Sequence, residues 1–327
     1  MSEDLPDFAA VVAAAGRLQG RIRRTPVMRS DHFDERAGRR VVFKCENLQQ
    51  GGAFKLRGAL NALLALAPAA GVTRVATHSS GNHGTALAIA ARSLGLACTV
   101  VVPEGSSRPK VAAIEAAGAH VRFCAPGLAA REAALAELIA REPAHVVHPF
   151  DDSDVIAGQG TAALELLSEP MDFGTLIAPV GGGGLIGGTA LAVRGMVDDC
   201  TIVAAEPANA DDAWRSFTTG VRTGVGVPDT IADGLRGSIG ARNFELLRRH
   251  VDEVVTVSEA EIVAAMRIVL EDLKLLIEPS SAVAVAALLS GRARRIGGQV
   301  GVILSGGNVD LDQCPFLAAA CMTGNGV

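Results

Sequence analysis

Lys55 is the first side chain whose placement implies chemistry. It lies in Gln49-Gln50-Gly51-Gly52-Ala53-Phe54-Lys55-Leu56-Arg57-Gly58, after the apolar run Val41–Cys45. Leu56, Leu60, Leu63, Leu64 and Ala67 follow it. The run reads as a buried strand, and the leucine spacing as one face of a helix. A glycine-rich strand-to-helix junction offers free N–H groups and the positive end of a helix dipole. That setting disfavours an ammonium ion and suits a nucleophilic amine. Taken alone, the stretch fits an exposed lysine at a helix start equally well.

Three further loops carry residues suited to binding anions or offering a hydroxyl. Ser79-Ser80-Gly81-Asn82-His83-Gly84 ends one strand and opens a helix. Its N–H groups suit a carboxylate, with Ser80 and Asn82 as polar contacts, although a capped turn has the same composition. Gly181-Gly182-Gly183-Gly184 precedes another helix and lets backbone approach a phosphate closely. Within it, Gly182–Gly187 also satisfies G-x-G-x-x-G, and Glu206 ends the next strand where a ribose-binding acid is expected. A nicotinamide-dependent dehydrogenase is therefore the competing class, but it leaves Lys55 and the Asn82 loop without a task. In the fourth loop, Ser305-Gly306-Gly307-Asn308, Ser305 offers a hydroxyl at a sheet edge.

Positioning these loops requires strands that end together. Further strands are expected at 74–77, 97–102, 120–124, 145–148, 175–180, 201–205, 253–257 and 299–304. Helices are expected at 7–22, 85–94, 108–117, 128–141, 156–168, 185–197, 259–273 and 279–290. Such alternation argues for open, mostly parallel α/β sheets, with ligands outside the carboxyl ends of the strands. Grouping of the βα units places a smaller lobe at 74–150 and a larger one at 1–73 and 151–327.

The 327 residues are 49% hydrophobic and 20% charged, with net charge −5, enough for a large core. Mild acidity and 3% aromatic content argue against nucleic acid or an anionic membrane as partner. No apolar run reaches membrane-span length, and the opening MSEDLPDF is acidic, so a cytoplasmic protein is expected. The six cysteines are scattered and read as reduced and structural.

Taken together the four loops resemble the fold-type II pyridoxal-phosphate enzymes, in particular the serine/threonine dehydratase and serine racemase family. The match runs in family order through Arg24-Thr25-Pro26, Lys44–Asn47, Ala53–Gly58, Ser79–Gly84, His148-Pro149 and Ala157–Thr161. It continues through Gly181–Gly184, Ala232–Gly234, Ile277-Glu278-Pro279 and Ser305–Asp310. The resemblance implies two open α/β lobes with pyridoxal 5′-phosphate in the cleft between them. It implies a Schiff base on Lys55, Phe54 against the ring, Asn82 on the phenolic oxygen and the Gly181–Gly184 loop on the phosphate. Glu278 would lie in the same site and Ser305 would face the pyridine nitrogen. A hydroxyl there makes a weaker electron sink than a carboxylate would, which suits β-elimination. The substrate carboxylate would bind at Ser79, Ser80, Gly81, Asn82 and His83.

The resemblance also implies a divalent cation on Glu206, the Ala210 carbonyl and Asp212. All-oxygen ligation suits Mg²⁺ or Ca²⁺, with Mn²⁺ as a further candidate. The competing reading is a capped helix start at Asn209. Ser80 corresponds to the residue that lets the racemase protonate from the face opposite the lysine. Gln50, Gly51 and Thr85 stand where the racemase binds nucleotide, so control by ATP is not expected. Ala53 resembles the variant of some 3-hydroxyaspartate dehydratases. Arg131 falls where a substrate's distal carboxylate would lie, although a solvated arginine beside Glu132 fits as well. Gly237 and Phe150 depart from the racemase pattern, and His78, His145 and His148 read as packing residues.

These readings converge on a pyridoxal-phosphate dehydratase acting on a small β-hydroxy amino acid of the L-serine/L-threonine type. L-threo-3-hydroxyaspartate dehydratase and a serine- or aspartate-type racemase are the alternatives within the family. A non-catalytic cofactor-binding protein is the third class, and the family suggests a homodimer.

Overall fold

The computed structural model describes residues 5–66 and 71–316. Its strands are β1 (Val27–Met28), β2 (Val41–Cys45), β3 (Arg74–His78), β4 (Ala97–Pro103) and β5 (His120–Cys124). They continue with β6 (His145–Val146), β7 (Phe173–Pro179), β8 (Thr201–Pro207), β9 (Glu253–Val257) and β10 (Gln299–Leu304). One sheet has the order β1-β2-β10-β7-β8-β9 and the other β5-β4-β3-β6. Every pairing is parallel except β1 with β2. Helices cover the faces of the larger sheet, which explains why β2 is buried at all its positions and reads as a continuous apolar run.

Parallel pairing brings the carboxyl ends of the strands to one edge. β2, β10 and β7 are neighbours, so the Lys55, Ser305 and Gly181–Gly184 loops emerge side by side. The Ser79 loop leaves β3, and the loop through His148 leaves β6 next to it.

Helix Lys55–Leu66 buries Leu56, Ala59, Leu60 and Leu63 with Val75, Leu87, Val100 and Val147 beneath the smaller sheet. Its other side meets helix Ser153–Leu167 closely enough that a Cβ on Gly158 would lie 2.6 Å from the Arg57 carbonyl oxygen. Buried charge fixes the same helix. Arg57 is bidentate to Glu46 (2.7 and 2.8 Å) and to Glu165 (2.8 and 2.9 Å). Lys44 Nζ donates to Glu165 Oε2 at 2.6 Å and to the Thr25 carbonyl at 2.8 Å. Two cations and two anions thus hold one geometry, a specificity device more than a source of stability.

Three helices are additions to the sequence reading: Asp31–Ala37, Asp212–Thr219 and Ala241–His250. All are short and rich in polar residues: the first buries only Phe33, the second Asp212, Ala213 and Ser216, and the third Asn243, Phe244, Leu246 and Leu247. The helix expected at 7–22 spans only Phe8–Leu18, and the chain turns at Gly20 with φ 71°. Among the described residues no helix is long and apolar enough to cross a membrane.

Candidate active site

The loops after β2, β3, β6, β7 and β10 line one cleft of about 690 Å³. Lys55 is the first residue of its helix, and its Nζ donates to the Pro149 carbonyl at 2.9 Å. The amine lies 5.0 Å from the Phe54 ring centroid. Burial lowers its pKa to about 8, and the nearby Glu278 carboxyl opposes part of that fall. Desolvation, rather than the helix dipole expected from the sequence, is the leading cause. The lysine turn is also tied to the β10 loop, because Phe54 N–H donates to the Ser305 carbonyl at 3.0 Å and Ala53 bridges Gly306.

Asn82 is already committed to neighbours. Its Nδ2 donates to Glu278 Oε1 at 2.8 Å, and its Oδ1 accepts from Asn308 Nδ2 at 2.9 Å. Asn308 Nδ2 also donates to the Gly51 carbonyl at 2.7 Å, so three loops meet at one amide. Glu278 is buried, and desolvation followed by the charge of Asp233 pushes its carboxyl up to about 8. Across the cleft, Lys110 pairs with Asp233.

The glycines after β7 are demanded by close approach. A Cβ on Gly181 would lie 2.8 Å from Leu235 Cα, and one on Gly182 would enter the Phe150 ring at 2.3 Å. Gly183 adopts φ +91°, the left-handed region that favours glycine. The N-terminus of helix Gly184–Met196 follows directly, completing an anion cradle.

Histidines line one wall. His148 Nδ1 accepts from the N–H of Asp151 (2.9 Å) and of Phe150 (3.3 Å), so its proton resides on Nε2. His83 is buried and donates from Nε2 to the Val147 carbonyl at 3.3 Å. Burial and the charge of Arg131 lower His78 to about 4, which keeps it neutral at neutral pH. His78 packs edge-on against His148, with ring centroids 6.1 Å apart, and its buried Nδ1 has no partner among the described residues. Arg131 itself lines the cleft half-buried, and its guanidinium forms no ion pair among the described residues.

Phe54, Lys55, Ser79 to His83, Arg131, the four glycines, Glu278 and Ser305 therefore share one cleft. Glu206, Ala210 and Asp212 lie away from it. Glu206 is fully buried, and its two carboxylate oxygens accept from Ala213 N–H (3.0 Å) and Trp214 N–H (2.8 Å). Because Glu206 does not line the cleft that the Gly181–Gly184 loop lines, it stands outside any nucleotide site there, which removes the structural support for the dehydrogenase class. Asp212 Oδ2 accepts from Ile239 N–H at 2.8 Å, while its Oδ1 is buried without a partner. Asn209 lies within a short 3-10 turn, Ala208–Ala210, and caps no helix with its side chain. Among the described residues no three His, Cys, Asp or Glu side chains cluster as metal ligands.

Comparison with known proteins decides the family. A model for the family described as "Pyridoxal-phosphate dependent enzyme" matches residues 18–306. The chain belongs to that family. It is 42% identical over 312 residues to the beta-hydroxyaspartate dehydratase of Paracoccus denitrificans (strain Pd 1222), covering 95% of this chain and 99% of the relative. The serine racemase structure from Dictyostelium discoideum superposes with TM-score 0.88 at 42% identity, covering 94% of this chain and 99% of that one. A T.th. threonine deaminase structure gives TM-score 0.89 at 38% identity, covering 93% and 99%.

The site fits pyridoxal phosphate on its own terms: a glycine loop at a helix N-terminus lining the cleft, and a buried amine with a lowered pKa. In this pyridoxal-phosphate enzyme the sequence reading missed the Pro149 carbonyl, Asp151 and Asn243. The first is backbone and leaves no side-chain signal. The other two act across the fold on helix Ala241–His250 and the β6 loop, so only tertiary structure brings them to the site.

Proposed function

We propose that this pyridoxal-phosphate dehydratase removes water and ammonia from a β-hydroxy amino acid with a second carboxylate, 3-hydroxyaspartate. The observation that carries the choice is Arg131, whose guanidinium forms no ion pair among the described residues, on the wall of the cleft that holds Lys55. An arginine fork recognises a carboxylate bidentately, whereas serine and threonine offer it nothing. The similarity to a beta-hydroxyaspartate dehydratase points the same way.

Bound in the cleft, pyridoxal phosphate supplies an electron sink for the substrate's α-carbon. The N–H groups and Ser80 of the Ser79–His83 loop hold the α-carboxylate. Arg131 holds the β-carboxylate and thereby sets the rotation about Cα–Cβ. Lys55 Nζ, uncharged above about pH 8, takes the α-proton. The β-hydroxyl takes up a proton, balancing the one removed from the α-carbon, and leaves as water; hydrolysis of the resulting enamine's imine form gives oxaloacetate and ammonia. The Gly181–Gly184 loop would hold the phosphate, Asn82 and Phe54 the ring and Ser305 its nitrogen, while Glu278 accepts from Asn82 Nδ2 at 2.8 Å.

The reading extends to architecture and ions. The strands of 74–150 form the smaller lobe, which carries Arg131 and the carboxylate loop. Glu206 and Asp212 are both pushed up by burial; the charges of Asp212 and Asp211 raise Glu206 further, and that of Asp211 raises Asp212. Together with the orphaned Asp212 Oδ1, this anion pair fits Mg²⁺, or Ca²⁺ or Mn²⁺, completed by the Ala210 carbonyl. That ion would brace the fold, with the enzyme a homodimer. Ser80 lines the cleft with Lys55, which supports a minor racemase activity.

The test is release of 2-oxo acid from a panel of L-serine, L-threonine, D-serine and the 3-hydroxyaspartate isomers. Preferential release of oxaloacetate supports the reading; preference for threonine or serine overturns the choice of substrate.

A further inference from the structure

Asn243 belongs to no motif that the sequence displays, yet it touches both halves of the cofactor site. It is fully buried on helix Ala241–His250. Its Nδ2 donates to the Gly182 carbonyl at 2.7 Å and to the Phe150 carbonyl at 2.9 Å. Two carbonyl acceptors require the NH₂ end of the amide at that point, and the consequence is a buried Oδ1 without a partner. A buried acceptor left unpaired is costly, so the two donated bonds fix the orientation against that cost.

The shape of the glycine loop follows from this side chain. A Cβ on Gly183 would lie 2.5 Å from Asn243 Cβ, and one on Gly187 would lie 3.1 Å from Asn243 Oδ1. The Gly182 carbonyl takes a second bond from Gly240 N–H at 3.1 Å, beside the same helix start. On the other side, Phe150 directly follows Pro149, whose carbonyl receives Lys55 Nζ at 2.9 Å. Asp151 then caps the helix, accepting from Ala241 N–H and Arg242 N–H at 3.0 Å each. One amide therefore joins the anion cradle to the segment that holds the lysine amine.

We propose that Asn243 is a positioning residue that sets the distance between the Gly181–Gly184 cradle and Lys55. The phosphate and the aldehyde carbon of one cofactor are then met together. The proposal rests on the cofactor reading above and asks more of it, because it assigns the phosphate's contribution to a residue that does not touch the cofactor.

The experiment titrates the apoprotein with pyridoxal 5′-phosphate and, separately, with pyridoxal, following visible absorbance. Wild type is compared with the near-isosteric Asn243→Leu and with Asn243→Ala. The expected result is that the preference for the phosphorylated form over pyridoxal falls about tenfold or more in both variants, while circular dichroism stays that of wild type. An unchanged preference, even with both affinities weakened, would make Asn243 a packing residue and overturn the proposal. Failure of both variants to fold would do the same. A wild type without preference for the phosphorylated form would instead contradict the glycine-loop reading itself.

Discussion

Lys55 Nζ and the Pro149 carbonyl oxygen are 2.9 Å apart, a bond between the loop after β2 in the larger sheet and the loop after β6 in the smaller. The amine is thus held in the cleft lined by loops from both sheets. Its acceptor is neutral, so nothing at that contact restores the charge lost to burial. Only Glu278, at longer range, favours the ammonium.

This arrangement predicts the pH at which the apoprotein captures its cofactor. An amine with pKa about 8 is a tenth uncharged at pH 7 and half uncharged at pH 8. The rate of cofactor capture is expected to rise with pH through a midpoint near 8 and level off above it, rather than through one near the ordinary 10.5. Between these values the unfolded chain binds the extra proton, so the apoprotein also gains stability as pH rises from 8 towards 10.5. Stopped-flow absorbance and chemical denaturation across that range check both statements. Lys55→Ala is expected to abolish the absorbance of the bound cofactor and lower turnover by at least about 10²-fold.

Glu278 supplies a prediction of opposite sign. Its carboxyl is raised from 4.5 to about 8, so the native state holds the proton more tightly than the unfolded chain. Stability is lost as pH climbs through that window. Glu278→Gln keeps an acceptor for Asn82 Nδ2 and removes the charge. Thermal melts should find the variant equal to wild type near pH 4 and more stable near pH 8.

The paired acids predict the effect of metal removal. If a divalent cation bridges Glu206 and Asp212, EDTA should lower Tm by a few degrees and Mg²⁺ should restore it, since about 2.7 kcal/mol follows from ligand at 100 times Kd. Asp212→Asn retains an acceptor for Ile239 N–H, whose bond is 2.8 Å, and should lose the response to both reagents. An EDTA-insensitive wild type contradicts the site.

Much of the fold and the site is legible in the sequence. Runs such as Val41–Cys45 and Gln299–Leu304 are buried on both faces, and their apolar continuity betrays them. Lys55, Asn82, the glycines and Ser305 each follow such a run, so parallel topology alone brings them together. Glu206 shows the limit of spacing. It stands where a ribose acid is expected, yet the fold turns it into the N-terminal partner of helix Asp212–Thr219. Asn243 is invisible for a related reason: its helix, ARNFELLRRH, is largely polar, and its partners are carbonyls more than 60 residues away in sequence. Backbone acceptors have no residue type to read.

The central claim is that Arg131 selects a dicarboxylate. The decisive measurement compares kcat/KM for 3-hydroxyaspartate and for L-serine in wild type, Arg131→Ala and Arg131→Lys. A charge-assisted bidentate contact predicts a loss of about 10- to 100-fold for 3-hydroxyaspartate in Arg131→Ala, partial recovery in Arg131→Lys, and little change for L-serine. Equal losses for both substrates, or none for either, would contradict the account.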